Sequence, residues 1–259
     1  MKHSSEDFND KRVLITGASK GLGFFCAEKF ASMGSQLVVT GRDTKKLEDL
    51  RKLLRNPDRH MVFAGDLAKP EVIKDLISQG MDFLQGFDII VHVCGGGYGF
   101  REPLLSWNQL DMLHKVNVGA AAEINRLAIP YMIKNGRGNV IHICSISSQE
   151  ATASVGYNTV KASLAAYVRS LGRELASTGL VITGILPGAF YAPGNSWERL
   201  GKNSPEVVND FIEKNLPRKK IADAEEVVSL ILFLASYDAS MMSGSCVPID
   251  AGEGKAYVI

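Results

Sequence analysis

Short runs rich in β-branched residues alternate with segments of helical length along most of this chain, and that alternation limits the folds open to it. Several of the short runs, such as LVVT, DIIVHV, NVIHI and VITGIL, are apolar almost throughout. Strands of that kind are buried on both faces, as in parallel sheets covered by helices on either side. The pattern predicts an α/β fold with seven strands at Val13–Thr16, Gln36–Thr40, His60–Ala64, Phe87–Val93, Asn139–Ser145, Leu180–Leu186 and Cys246–Ile249.

The segments between these strands have the length and the end signals of helices. They lie at Leu22–Met33, Asp43–Leu54, Pro70–Leu84, Trp107–Lys134, Val155–Ser177 and Ala224–Ser236. Right-handed crossovers between parallel strands then predict a Rossmann-type, doubly wound, mostly parallel sheet with helices on both faces.

Domain organisation follows from length and from the lack of any repeat or linker. A chain of 259 residues is predicted to be a single domain, 1–259. The one irregular stretch runs from Pro187 to Pro217 and holds a short helix candidate near Pro205–Lys214. A long excursion after the carboxyl end of a strand is typical of an active-site lid, predicted here at about 188–217.

Composition excludes several kinds of partner. The formal net charge is +1 and the pI about 7.7, which provides no field for nucleic acid or an anionic membrane. The longest apolar stretch, Val227–Ala235, is far shorter than a membrane span. The polar N-terminus carries no signal-peptide pattern. Cys26, Cys94, Cys144 and Cys246 are widely spaced, which favours a reduced, cytoplasmic location. The five histidines show no ligand spacing, so no metal is expected.

A glycine-rich turn stands directly between the first strand and the first helix. It reads Thr16-Gly17-Ala18-Ser19-Lys20-Gly21-Leu22-Gly23. Gly17 permits the tight turn, while Gly21 and Gly23 let the main chain approach a pyrophosphate bound at the helix N-terminus. Because the motif has the structural context that it requires, it predicts binding of a dinucleotide.

The end of the second strand indicates which dinucleotide. A carboxylate there would bind a free ribose 2′-hydroxyl, but this chain has Gly41-Arg42. Arg42 can pair with a 2′-phosphate and Lys20 can add a second positive charge, which favours NADP(H). The alternative is that Arg42 is a solvated charge and that the neighbouring Asp43 reaches a ribose hydroxyl.

Three residues form a candidate catalytic set. Tyr157 and Lys161 are four residues apart in a strong helix, so both project from one face. An ammonium group near a phenol favours the phenolate, which suits a general acid/base. Ser145 ends an apolar strand twelve residues before Tyr157, at the sheet edge where such folds bind ligands, and can hydrogen-bond a substrate oxygen.

Together these residues resemble the short-chain dehydrogenase/reductase family over nearly the whole chain. The matching positions are Thr16-Gly17-x-x-x-Gly21-x-Gly23, Asp66-Leu67, Asn117, Ser145, Tyr157-x-x-x-Lys161, Pro187-Gly188, Ser243-Gly244 and Ile249-Asp250-Ala251-Gly252. The resemblance implies a Ser-Tyr-Lys centre in which Asn117 assists a proton relay. It also implies that Lys161 holds the nicotinamide ribose and that Asp66 meets the adenine, with Leu67, Gly95, Tyr157, Pro187 and Gly188 along the cofactor. Oligomers, usually tetramers, are common in this family.

Three departures from the family pattern stand out. His92-Val93-Cys94-Gly95 replaces the common Asn-Asn-Ala-Gly, so His92 is expected to brace the sheet in place of the missing asparagine. The family's threonine beyond Pro187-Gly188 is absent, and its hydrogen bond to the carboxamide must come from the main chain or elsewhere. The interval from Ser145 to Tyr157 is one residue shorter than usual, which predicts a compact loop facing the substrate.

The expected reaction is hydride transfer from NADPH to a carbonyl carbon, with Tyr157 protonating the oxygen that Ser145 stabilises. The substrate is a 3-oxoacyl thioester, since the chain broadly resembles 3-oxoacyl-[acyl-carrier-protein] reductases, or alternatively a keto-sugar or nucleotide-sugar of surface-polysaccharide metabolism. A non-catalytic NADP(H)-binding sensor or scaffold is the alternative from another class. Candidate pocket residues are Tyr98, Phe100, Arg101, Ser147, Gln149, Glu150, Phe190, Tyr191 and Trp197.

Overall fold

The computed structural model describes residues 8–256, which build a seven-stranded sheet with a two-stranded accessory ribbon. Its strands are β1 Arg12–Thr16, β2 Gln36–Gly41, β3 His60–Ala64, β4 Ile89–His92, β5 Gly138–Ile143, β6 Leu180–Pro187, β7 Phe190–Tyr191, β8 Ala222–Asp223 and β9 Cys246–Ile249. The main sheet has the order β3-β2-β1-β4-β5-β6-β9, and each neighbouring pair is parallel. The predicted doubly wound Rossmann-type fold is confirmed.

Helices cover both faces of this sheet. They are α1 Gly21–Ser32, α2 Thr44–Leu53, α3 Pro70–Leu84, α4 Trp107–His114, α5 Ala120–Lys134, α6 Val155–Glu174, α7 Ser196–Asn203, α8 Pro205–Asn215 and α9 Ala224–Ala235. Val13 and Ile15 of β1 pack into the core beneath α1 and α9, while Leu14 between them packs into the core beneath α3 and α5. Alternate side chains of each strand are therefore buried on opposite faces, which explains the nearly continuous apolar runs.

One predicted helix is interrupted. The sequence predicts a single helix over Trp107–Lys134, but between α4 and α5 the backbone widens into a π-helical turn at Lys115–Gly119. Such turns insert an extra residue into a helix and are frequent at functional sites. Asn117 lies at the centre of this turn.

The segment after β6 folds on itself. Helix α7 was not predicted, whereas α8 matches the candidate near Pro205–Lys214. Ala189, Val208, Leu216 and Ile221 form a small core of their own. The Trp197 ring, predicted to line a substrate pocket, packs on Phe211 in this core with ring centroids 4.4 Å apart.

In residues 8–256 no helix is both long and apolar enough to cross a membrane.

Candidate active site

The fold brings the ends of β1, β4, β5 and β6 side by side at the carboxyl edge of the sheet. The chain reverses its winding direction between β1 and β4, and the crevice at such a reversal binds ligands in open α/β sheets. Thr16 joins the two ends: its Oγ1 accepts hydrogen bonds from the main-chain N–H groups of Val93 and Cys94, both at 3.0 Å. The candidate site is built on this edge.

The glycine turn is as tight as its sequence predicts. Gly17 has a φ of +69°, and a methyl group on Gly23 would lie 2.5 Å from the Gly17 carbonyl oxygen. Side chains are therefore excluded at both positions, and α1 begins immediately after the turn with buried Leu22. A methyl group on Gly21 would meet only the Pro193 oxygen, at 4.0 Å, and the Gly21 N–H donates a 3.0 Å hydrogen bond to that oxygen. These features suit a pyrophosphate at the helix N-terminus.

Positively charged side chains lie close together beside the glycine turn, at the end of β2. Ser19 lies against Gly41, and exposed Arg42 follows it. The pKa of Lys20 is lowered, first by burial and then by the positive charges of Arg199, Lys46 and Arg42. Mutual repulsion of this kind marks a place where an anion would be stabilised.

Asp43 is engaged in helix capping. Its Oδ1 accepts a hydrogen bond from the Lys46 N–H at 3.1 Å, which caps the start of α2, and its Oδ2 lies 3.8 Å from Lys46 Nζ. The alternative in which Asp43 holds a ribose hydroxyl would have to share this carboxylate with the cap.

Asp66 lies beyond β3, with an exposed side chain, and Leu67 beside it is buried. Asp66 Oδ1 accepts a hydrogen bond from Ala68 N at 3.1 Å, so the carboxylate shapes a turn. The N-cap of α3 is Lys69, not Asp66. A contact of Asp66 with adenine remains a prediction.

Asn117 fastens the loop after β4 to the π-helical turn. The side chain is buried, and its Nδ2 donates hydrogen bonds to the carbonyls of Leu113 at 2.9 Å and Gly96 at 3.0 Å. Its Oδ1 accepts a hydrogen bond from the Gly96 N–H at 2.9 Å. A methyl group on Gly95 would lie 2.7 Å from Asn117 Oδ1 and 3.5 Å from Lys161 Nζ, so Asn117 and Lys161 converge on one point of the loop.

Lys161 and Tyr157 lie on the face of α6 that meets this loop. Lys161 is buried, and its Nζ donates a 2.7 Å hydrogen bond to the carbonyl of Ile143 at the end of β5. The same Nζ lies 5.6 Å from the centroid of the Tyr157 ring. A methyl group on Gly97 would lie 3.5 Å from Tyr157 Cδ2, so the ring borders the glycine loop.

Ser145 follows β5 directly. Its side chain is buried, and its Oγ accepts a hydrogen bond from the Ser147 N–H at 3.1 Å. That bond uses an acceptor lone pair and leaves the hydroxyl proton available for a substrate oxygen. The structure thus gathers Asn117, Lys161 and Tyr157 around the glycine loop, with Ser145 at the strand end that anchors Lys161.

His92 takes part in a buried polar network. His142 Nδ1 must donate to the Thr183 carbonyl, 3.2 Å away, because that oxygen can only accept. The Asn125 amide then donates to His142 Nε2 at 3.2 Å and to Tyr167 Oη at 3.1 Å, while its Oδ1 accepts from His92 Nε2 at 2.9 Å.

Both histidines in this network are held neutral. Burial lowers the pKa of His92 to about 4, and burial together with His92 lowers the pKa of His142 well below its usual value. The network links β4, β5 and β6 to α5 and α6. The expected bracing by His92 matches this geometry, and Asn125, which sequence reasoning missed, could have been noticed as a polar residue in an apolar helix.

The ends of β6 and β9 carry further residues that the sequence reasoning missed. Glu253 Oε2 accepts a 2.6 Å hydrogen bond from the Ala189 N–H, just past Pro187-Gly188. Glu150 Oε1 accepts from the main chain of Lys255 at 2.5 Å, and a methyl group on Gly254 would lie 3.0 Å from that oxygen. Burial, with Asp250 and Glu150 nearby, raises the pKa of Glu253. Three carboxyl groups therefore lie beside the predicted nicotinamide end of the site.

No group of three or more potential metal ligands lies within residues 8–256. The expectation of a metal-free site stays a prediction.

The glycine turn lies between a strand and a helix, at the switch point of a parallel sheet and next to a Tyr-Lys pair. This arrangement defines the class of nicotinamide-dependent oxidoreductases with a Rossmann-type fold. The comparisons then identify the family. Residues 17–253 match the family model described as Enoyl-(Acyl carrier protein) reductase, and the chain belongs to the short-chain dehydrogenase/reductase family.

Named relatives show what the chain is similar to. A glucose 1-dehydrogenase of Gluconobacter oxydans is 29% identical over 252 residues, covering 95% of this chain and 92% of the relative. A 3-oxoacyl-[acyl-carrier-protein] reductase of Rickettsia typhi is 28% identical, covering 95% of this chain and 98% of the relative. The structure of the L-sorbose reductase of Gluconobacter frateurii, solved with NADPH and L-sorbose, matches with a TM-score of 0.91 and 26% identity. The match covers 98% of this chain and 100% of the reductase chain. The chain is accordingly an oxidoreductase that acts on CH–OH or C=O groups of small molecules.

Proposed function

We propose that this enzyme reduces a carbonyl compound to an alcohol with NADPH. The convergence of Lys161 Nζ and Asn117 Oδ1 on Gly95, beside the Tyr157 ring, is the observation that carries the proposal. This convergence supports the proposal because a phenol, an ammonium group and an amide lie together at the switch point of the sheet, where the cofactor of this fold class binds.

The cofactor assignment is supported by charge at the end of β2. Arg42, Lys20 and Lys46 bring positive charge to the place where a 2′-phosphate would lie, and Asp43 is taken up by capping α2. The L-sorbose reductase of similar structure was solved with NADPH. The glycine turn would hold the pyrophosphate, Asp66 and Leu67 would border the adenine, and Pro187 and Gly188 would border the nicotinamide.

The residues of the chain divide the chemistry of reduction among them. When bound, the cofactor supplies the hydride. Tyr157 donates a proton to the carbonyl oxygen, and Ser145 hydrogen-bonds that oxygen and orients it. Lys161 holds its positive charge next to Tyr157, while its hydrogen bond to Ile143 fixes the ammonium at the end of β5. Asn117 keeps the loop over the site in place.

For the substrate we favour a hydroxylated carbonyl compound such as a keto-sugar. Glu150, Asp250 and Glu253 bring carboxylate oxygens, which accept hydrogen bonds from hydroxyl groups, to the end of β6. The same negative charge disfavours a 3-oxoacyl thioester that is attached to an acidic carrier protein. Glucose and sorbose are the sugars in the names of two of the relatives. A 3-oxoacyl thioester is the second candidate, supported by the named reductase of Rickettsia typhi.

Several further properties belong to the same proposal. The chain 1–259 acts as one domain, with the segment at about 188–217 serving as a substrate lid. The enzyme works in the cytoplasm as a homo-oligomer, a tetramer or a dimer. Apolar side chains exposed on α4 and α6, including Trp107 and Val155, support self-association.

Cofactor-coupled turnover tests the proposal. NADPH oxidation, and then NADH oxidation, is followed against keto-hexoses, keto-gluconates, nucleotide-linked keto-sugars and 3-oxoacyl thioesters, with the Tyr157→Phe variant as the blank for each compound. We expect turnover with NADPH on a keto-sugar. Turnover restricted to thioesters would replace the substrate class, and a preference for NADH would refute the cofactor assignment.

A further inference from the structure

Tyr98 lies in an unusually glycine-rich segment after β4. Gly95, Gly96 and Gly99 have φ angles of +159°, +138° and +77°, and Tyr98 itself has a φ of +53°. A methyl group on Gly96 or Gly99 would meet no other atom within 4 Å. Tyr98 is thus carried on a glycine-rich loop that has open space beside Gly96 and Gly99.

The Tyr98 side chain points toward the second strand of the sheet. Its ring centroid lies 5.9 Å from Arg42 Cζ, a cation–π distance. In the sheet order β2-β1-β4, the contact between a residue after β4 and a residue after β2 must pass over the end of β1. The glycine turn begins there, so the Tyr98 ring spans the groove next to it. This placement favours a role for Tyr98 in the cofactor groove over the predicted role in the substrate pocket.

A third strand end lies close to the same ring. The pKa of Tyr98 is raised by burial, lowered by Arg42, and raised by Cys94 and by Asp66, which follows β3. Asp66 is the residue for which contact with adenine is predicted. The ring therefore lies beside Arg42, on the adenosine side of the groove, and about two-fifths of the residue is exposed.

We propose that Tyr98 is a cofactor-binding residue whose ring closes over the adenosine half of NADP(H) and holds Arg42 ready for the 2′-phosphate. This inference rests on the proposed cofactor. An aromatic ring can stack on the adenine ring of the cofactor. An arginine that is held by a cation–π contact is already oriented before the 2′-phosphate binds.

Binding of an adenosine fragment tests the inference without any turnover. The probes are 2′,5′-ADP, which lacks the nicotinamide, and NADPH and NADH, with dissociation constants measured by calorimetry on the full chain. For Tyr98→Ala we expect the Kd of 2′,5′-ADP to rise about tenfold or more. We expect Tyr98→Phe, which keeps the ring, to stay within about twofold of the wild type. Tyr131→Ala, an exposed tyrosine on α5, is the matched control, and thermal melting confirms folding.

The preference between NADPH and NADH provides the second readout. Loss of the ring should weaken NADPH more than NADH, because Arg42 loses its support along with the stacking. This inference alone would be overturned if the wild type bound 2′,5′-ADP and the Tyr98→Ala variant bound it equally well or more tightly. A wild type that does not bind 2′,5′-ADP would overturn the cofactor proposal as well.

Discussion

Asn117 and Gly96 are joined by two hydrogen bonds, in which Gly96 N–H donates to Asn117 Oδ1 and Asn117 Nδ2 donates to Gly96 O. An amide side chain here imitates the pairing of two strands, and it fixes a glycine loop that has little other packing. The π-helical turn at Lys115–Gly119 makes the contact possible, because it rotates Asn117 inward and buries it. The loop that borders Tyr157 and Lys161 is therefore held by Asn117, in addition to the hydrogen bonds of Thr16 at its start.

Replacing Asn117 by Ala should release this loop. We expect kcat/KM to fall about 100-fold, because a displacement of the order of 1 Å in reacting groups has that effect. Steady-state kinetics check the result, with Asn108→Ala as the control, since Asn108 is exposed on the neighbouring α4. A variant that retains full kcat/KM would show that the loop does not need this support.

The Tyr157→Phe variant should lose the proton donor but keep the fold. Only one hydroxyl group is removed, so we expect NADPH to bind within about twofold of the wild type, while kcat falls about 10²- to 10⁴-fold. Cofactor titration and turnover are measured on the same preparation. The matched control is Tyr131→Phe, which removes an exposed hydroxyl on α5. Near-normal turnover in Tyr157→Phe would mean that another group supplies the proton.

Replacing Arg42 by Gln should change the cofactor preference. Loss of one charged hydrogen-bond donor to a 2′-phosphate should raise the Kd of NADPH about 10- to 100-fold and leave that of NADH nearly unchanged. Lys45→Gln removes a neighbouring exposed charge on α2 and should leave both constants close to those of the wild type. Equal weakening of NADPH and NADH would argue against a specific contact with the 2′-phosphate.

The lowered pKa of His92 predicts how the free energy of unfolding depends on pH. The folded protein lowers the pKa of His92 from 6.5 to about 4, so between these values the unfolded chain binds a proton that the folded protein does not. The free energy of unfolding should therefore fall as pH decreases from about 6.5 to about 4, by up to about 3 kcal/mol, and be level above that range. Urea unfolding at a series of pH values measures the slope.

Substitution separates His92 from the other groups that titrate in this range. His92→Asn should make the pH dependence shallower, whatever its effect on stability at neutral pH, and the slope that remains belongs to groups such as His142, whose pKa is also lowered by burial. His114→Asn, at an exposed position, should keep the slope of the wild type. If His92→Asn also keeps that slope, the histidine is not buried as a neutral group.

Much of the fold could be predicted because the signals are local. The sheet strands and α3 occur where the apolar runs and the Pro70 start signal predict them. The glycine turn could be placed for the same reason, because a side chain at Gly23 would clash with the main chain of Gly17, only six residues earlier. Tyr157 and Lys161 could be paired because four residues make about one turn of a helix.

What could not be predicted depends on contacts between distant elements. The turn at Lys115–Gly119 and the hydrogen bonds that Asn125 makes to His92 and His142 arise from packing between helices and strands that lie far apart in the sequence. Trp197 was assigned to a pocket, yet it packs on Phe211 because α7 and α8 bury each other's apolar faces.

The sequence by itself determined the order of strands and helices along the chain, the geometry of the glycine turn and the pairing of the candidate catalytic residues Tyr157 and Lys161, because each is set by residues close together in the chain. Only the tertiary structure decided that Asn117 fastens the loop after β4 and that Tyr98 reaches across β1 to Arg42. Those contacts join residues on different strands and helices, whose positions follow from how the whole sheet is wound and covered.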